Sequence, residues 1–178
     1  MKYSISAGHK ETANAAELIL KEGGNAVDAA IAAMTASFIA EPCMSGAGAG
    51  GFAMVRSPGS DNRMYDFFCH TPSSKKKADQ TDFVPVEVDF GSATEIFYTG
   101  AGSIAVPGTI DGLFRLHEHW GSMPMKDLVL PAVALARRGV LITDFQAYYI
   151  SLLREILSSS PNGRDIFFDG EELRQAGD

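Results

Sequence analysis

The sequence predicts a mixed α/β fold, and three stretches carry that expectation. Residues Ala26 to Ile39 are apolar almost without interruption and rich in alanine. Phe52–Arg56 and Arg63–Phe68 are strand-like, and a cluster of turn residues joins them. Between helix and strands lies the glycine run Gly46–Gly51, GAGAGG, after which the chain changes from helical to alternating patterning.

The elements follow in order. Glu11–Glu22 places Ala15, Leu18, Ile19 and Glu22 at helical spacing, and Gly23-Gly24 ends it as a C-cap does. Asn25 then caps the apolar helix, with Asp28 at its third position setting a negative charge against the free N–H groups. A helix apolar on all sides is normally central, and its alanines let neighbours approach closely. Glu41-Pro42 closes it. Phe52–Arg56 and Arg63–Phe68 form a β-hairpin around Ser57-Pro58-Gly59-Ser60-Asp61-Asn62. The polar stretch Thr71–Asp82 is a loop, and Val84–Phe90 and Glu95–Tyr98 are strands. Pro107-Gly108 is a break, after which Thr109 caps a helix from Ile110 to Trp120, ended by Gly121.

A further helix runs from Pro124 to Arg138, and Pro131 inside it marks a kink or the true start. Thr143 or Asp144 opens a last helix through Leu157, with Phe145, Tyr148, Tyr149, Leu152, Leu153 and Ile156 as its apolar stripe. Ser158–Gly163 is a stop, Asp165–Phe168 a short extended piece, and Asp169-Gly170 a turn.

Composition narrows the function. A net charge of −7 argues against nucleic acid or an anionic membrane as the main partner. The run Lys75-Lys76-Lys77 is short and reads as a solvated face. The most apolar stretch carries Asp28 and falls short of the roughly 20 residues that a membrane span needs. No apolar segment of signal-peptide length opens the chain, so a cytoplasmic location is expected. Cys43 and Cys69 cannot make a disulfide framework. One bridge is conceivable, but buried free thiols fit better.

Few residues suggest chemistry by themselves. Gly46, Gly48 and Gly51 satisfy the G-x-G-x-x-G spacing of dinucleotide sites, yet that site needs a strand before the glycines and a helix after them. Here the order is reversed, and a turn permitting close packing is the better reading. His117 and His119 sit two apart on one helix and face different ways, which does not suit a shared metal. His70 follows Cys69 directly, and adjacent strand residues project to opposite faces. Glu171-Glu172 reads as solvated. No metal site and no catalytic set emerges.

Three stretches together go further: Ala16–Ala30 (AELILKEGGNAVDAA), Glu41–Phe52 (EPCMSGAGAGGF), and Ala105–Leu113 (AVPGTIDGL) continuing through His119–Pro124 to Leu130–Val133 and Ala136. In that order and spacing they resemble the amino-terminal part of the large subunit of the gamma-glutamyltransferase family. The resemblance covers most of residues 7–178. It implies a single partial domain over 1–178, the N-terminal portion of the αββα sandwich of N-terminal-nucleophile hydrolases. It further implies a precursor that cuts itself to free a threonine. The threonine hydroxyl attacks a gamma-glutamyl amide, with its own α-amino group as base, and backbone N–H groups stabilise the oxyanion. No cofactor is implied. The partners implied are a small amide or peptide substrate, the rest of the large subunit, and the small catalytic subunit.

Two departures qualify the resemblance. Nothing in residues 1–178 matches the processed threonine or the oxyanion glycines, so the chain by itself is expected to be inactive scaffold. In the transferases a segment after the first hairpin reads Arg-Glu-x-Ala-Pro, and its arginine clamps the substrate carboxylate. Aligned on Pro72, this chain reads Phe68-Cys69-His70-Thr71-Pro72. These are the substrate-binding candidates: Phe68, Cys69 and His70. A phenyl ring cannot replace an arginine fork, so the implied donor is less polar at that end. Arg63 on the same hairpin is an alternative source of the charge. Two other functions stay open: an amidase resembling cephalosporin (glutaryl) acylases, which Phe68 favours, and a non-catalytic scaffold or binding domain.

Overall fold

The structure, a computed structural model, describes residues 2–59 and 61–178, except for the side chain of Ala78. Ser60, part of the expected hairpin turn, and Met1 lie outside the described residues. The chain divides into two compact units. The first holds the chain up to Thr71 together with Val106–Val140, and the second holds Pro72–Ala105 with Leu141–Asp178.

In the first unit, helix α1 (Lys10–Lys21) starts one residue before the expected position. His9 is its N-cap, and its Nδ1 accepts from the Glu11 N–H at 3.1 Å. The end is a Schellman motif: Gly24 N–H donates to Ile19 O at 2.9 Å and Gly23 N–H to Leu20 O at 3.3 Å. Gly23 takes φ +96°, a conformation that costs other residues strain. Helix α2 (Ala26–Ala40) carries the expected capping box. Asn25 Oδ1 accepts from the Val27 and Asp28 N–H groups, and Asp28 Oδ2 accepts from the Asn25 N–H at 2.9 Å.

Helix α2 is central, as its composition predicts. Ile31 and Ala32 are fully buried and join Ile19, Leu113, Leu116 and Leu128 in the main core. Full burial of a side chain the size of Ile31 stabilises the fold by about 2–3 kcal/mol. Further along, Ala36 packs with Ala15 and Leu135. The remaining face, with Ala30, Ala33 and Met34, borders an open apolar cavity of about 630 Å3 that Tyr3–Gly8 also line.

Strands β1 (Phe52–Val55) and β2 (Arg63–Asp66) form the expected antiparallel hairpin, with Phe52 opposite Asp66 and Val55 opposite Arg63. Alternation gives the hairpin two faces. Ala53, Val55 and Tyr65 pack on the main core, whereas Phe52, Met54 and Met64 are exposed.

Two expectations in this unit are corrected. Thr109 does not cap helix α3 (Thr109–Trp120) but is its first residue, and Gly108 is the N-cap, without a side-chain bond. The reason is that Ala49 O accepts from both Gly108 and Thr109 N–H at 3.1 Å, which draws the chain into the helix one residue early. The helix expected over 124–138 is two: α4 (Met125–Leu128) and α5 (Leu130–Arg138), meeting at Val129. Pro131 sits in the first turn of α5, so it marks a start rather than a kink.

In the second unit, β3 (Val84–Asp89) and β4 (Thr94–Thr99) pair antiparallel, with Val86 opposite Phe97. Helix α6 (Asp144–Leu152) is opened by Thr143 in a capping box with Gln146. The helix expected to reach Leu157 breaks at Leu153 and resumes as α7 (Arg154–Ser158). Its stripe is only partly inward. Tyr149 and Ile150 are buried with Phe168 and Leu173, while Phe145 and Tyr148 are exposed.

Ser158–Gly163 is not simply a stop. Ser160 Oγ accepts from the Gly163 N–H at 3.1 Å and Pro161 opens α8 (Pro161–Phe167), so 165–167 is helical rather than extended. Only β5 (Phe168–Asp169) is extended. It pairs with β6 (Glu172–Leu173) across Gly170, at φ +62°. Glu171 and Glu172 are exposed, as expected. Among the described residues no helix is long and apolar enough to cross a membrane.

Candidate functional site

Phe68, Cys69 and His70 lie just beyond β2, in a segment held at both ends by paired backbone bonds. On one side Phe67 and Gly51 exchange N–H···O bonds of 3.0 and 3.2 Å, extending the hairpin ladder by a residue. On the other, His70 and Val106 exchange bonds of 3.0 and 2.8 Å. Between them the Phe68 N–H donates to Asp66 Oδ1 at 3.0 Å.

Alternation then sorts the side chains. Phe67 turns inward, where it packs on the main core and against Gly51 and Gly112. Phe68 turns outward, 54 % exposed, and stacks on Phe52 with ring centroids 5.4 Å apart and 13° between planes. Cys69 is half-buried and His70 exposed.

The glycines around this segment explain why it can run so close to its neighbours. A Cβ on Gly50 would meet the backbone of Phe68 and Cys69, with Phe68 C at 2.8 Å and Phe68 Cα at 2.9 Å. A Cβ on Gly108 would meet the Phe67 carbonyl, with its carbon at 2.8 Å. The run 46–51 therefore behaves as a close-packing turn between α2 and β1, with helix before and strand after. That is the order opposite to a dinucleotide site.

The other candidates are dispersed. Arg63 sits in β2 on the face opposite Phe52. Its guanidinium carbon lies 5.6 Å from the centroid of the Trp120 ring, so it does not stand beside Phe68. Cys43 and Cys69 are both free. The expectation that both are buried is corrected, because Cys43 is exposed in the turn after α2, where it takes φ +72°. His117 Nε2 bonds the Met123 carbonyl at 2.7 Å and His119 Nδ1 pairs with Tyr65 Oη at 2.8 Å, so the two histidines serve different partners. Among the described residues no group of three His, Cys, Asp or Glu could hold a metal ion.

Two long-range polar constellations, Trp120–Tyr65–His119 and Ser122 on Asp28, were not legible from the sequence. Trp120 Nε1–H donates to Tyr65 Oη at 2.7 Å, completing a Trp120–Tyr65–His119 chain. Asp28, fully buried, accepts from the Ser122 hydroxyl, the Ser122 N–H at 3.0 Å and the Asn25 N–H at 2.9 Å. Burial works to raise the Asp28 carboxyl. The hydrogen bonds from Ser122, Asn25 and Met123 outweigh it and hold the group below its ordinary value.

Comparison with known proteins places these features in a family. The family model described as Gamma-glutamyltranspeptidase matches residues 12–178. The chain is 32 % identical over 173 residues to the glutathione hydrolase proenzyme of Bacillus subtilis (strain 168), a match spanning 96 % of this chain and 29 % of that protein. It is 29 % identical over 175 residues to the acylase ACY 1 proenzyme of Pseudomonas sp. (strain V22), covering 97 % of this chain and 31 % of that one. The crystal structure of Helicobacter pylori gamma-glutamyltranspeptidase superposes with a TM-score of 0.82 at 26 % identity, over 100 % of this chain and 51 % of that chain. The chain thus spans under a third of the length of these curated relatives. Its mixed helices and hairpins are the N-terminal portion of the N-terminal-nucleophile hydrolase fold. On the match from residue 12 to residue 178, this chain belongs to the gamma-glutamyltranspeptidase family.

Proposed function

We propose that residues 1–178 are the scaffold of a gamma-glutamyltransferase-like enzyme that hydrolyses or transfers gamma-glutamyl, or similar acyl, amides through a threonine acyl-enzyme. The nucleophile comes from outside these residues, and the range alone is inactive. In this reading it forms one partial domain that works with the rest of a large subunit and a small catalytic subunit. A threonine hydroxyl attacks the amide carbonyl, the amine leaves, and water or an acceptor amine takes the acyl group. The chain's own share is recognition: Phe68, Cys69 and His70 face the acyl donor.

The observation carrying this reading is the convergence of two family-like motifs on one segment. The glycine run and Val106–Thr109 come from the two separate stretches of chain that make up the first unit, and Gly51 and Val106 hold the two ends of Phe67–His70 through backbone bonds. The protein expressed from its complete gene is assayed with gamma-glutamyl-p-nitroanilide and with a glutaryl amide. Amine release from either substrate supports the reading. Failure on both, at a sensitivity that detects the uncatalysed rate, overturns it in favour of a non-catalytic scaffold.

A second reading, an acylase-like amidase, has its own support. Phe68 offers a phenyl ring stacked on Phe52 where the transferases have a cation. Faster turnover of the glutaryl amide than of the gamma-glutamyl substrate favours it.

A further inference from the structure

We propose that Gly50 and Gly108 are positioning residues for donor recognition: they lie against two successive peptides of the Phe67–Cys69 backbone and thereby fix where Phe68 presents its ring. The inference rests on the reading of Phe68–His70 as the donor contact.

The glycine run is not uniform. Gly46 and Gly48 have nothing within 4 Å of where a Cβ would sit, whereas a Cβ on Gly50 would press on the Phe68–Cys69 peptide. Gly108 faces the same segment from the other motif, against the Phe67 carbonyl, with Phe68 O at 3.2 Å. Neither glycine has a positive φ, so what each supplies is space rather than an unusual conformation. The atoms in the way are backbone, which cannot swing aside as a side-chain tip does.

The paired bonds at Phe67–Gly51 and His70–Val106 anchor both ends of the segment. An added methyl group therefore bows the backbone between those anchors. Phe68 lies in that span, and its stacking on Phe52 moves with it. A displacement of about 1 Å at a recognition group is enough to cost one to two orders of magnitude in substrate use.

The test is a double-mutant cycle in the protein expressed from its complete gene. Gly50→Ala is expected to raise KM for the preferred donor about tenfold with kcat changed less, while Gly48→Ala leaves both as they are. In a Phe68→Ala background the Gly50→Ala penalty disappears, because the ring through which it acts is gone. A purely structural role would leave the same penalty in both backgrounds. Should Gly50→Ala not fold, Gly108→Ala runs the same cycle at the neighbouring Phe67–Phe68 peptide. An unchanged KM, or an equal penalty with and without the Phe68 ring, overturns the positioning role. If Phe68→Ala itself leaves KM unchanged, the reading of the donor contact fails, and this inference with it.

Discussion

Asp28, in the first turn of α2, holds Ser122, 94 residues further along the chain. Both the hydroxyl and the N–H of Ser122 donate to its buried carboxylate. The same carboxylate closes the capping box on Asn25, whose Nδ2 donates to Trp120 O at 2.7 Å. One short motif thus starts the central helix and fixes the turn that follows α3.

Removing that carboxylate should be costly. Asp28→Ala removes the charged acceptor of the Ser122 hydroxyl, the Ser122 N–H and the Asn25 N–H together, and a loss of about 3 kcal/mol in unfolding free energy is expected in urea titration. The folded-state carboxyl lies below its ordinary value of 3.8, so its contribution is fully present above that value. It is lost as pH falls through the lower folded value. The stability gap between wild type and Asp28→Asn should therefore be flat from pH 7 to 5 and shrink only below about pH 4. A gap that shrinks between pH 7 and 5 contradicts this assignment.

Thr109 behaves in the opposite way. Its Oγ1 is buried with no hydrogen-bond partner among the described residues. Thr109→Val keeps the shape and removes a desolvated hydroxyl, so stability should stay level or rise by up to about 1 kcal/mol. A fall of more than about 1 kcal/mol in calorimetry would mean the hydroxyl is paired in the complete protein.

Ile31, fully buried at the centre of α2, tests the main core. Ile31→Ala should cost about 3–4 kcal/mol, whereas Phe114→Ala on the exposed side of α3 should cost under about 1 kcal/mol. Comparable losses at the two sites would place the core elsewhere.

Phe68→Arg addresses the donor. A guanidinium at that position offers a fork to a carboxylate. The ratio of gamma-glutamyl to glutaryl turnover should rise about tenfold or more, measured as kcat/KM on both substrates. An unchanged ratio would remove Phe68 from the recognition surface.

Much of the fold was readable because its signals are local. Asn25 with Asp28, Gly23-Gly24, and the alternation around Phe52 and Arg63 each specify a cap, a stop or a hairpin within a few residues. The misreadings have local causes as well. Ser158–Gly163 carries the residues of a loop, yet Ser160 followed by Pro161 is equally a helix start, and helical geometry won. Thr109 has the residue type of a cap, but a tertiary bond to Ala49 O displaced it. The candidate site was visible only through the resemblance. Nothing in Phe68-Cys69-His70 announces a site, and the close approach of Gly50 and Gly108 depends on contacts with residues about 18 and 41 positions away. Composition cannot reveal that.

The most direct test of the acyl-enzyme account is the denaturing intact mass of the protein expressed from its complete gene. The account predicts two chains, the larger containing residues 1–178 and the smaller beginning with threonine. A single uncut chain would contradict it, because no threonine would then carry the free α-amino group that the chemistry requires.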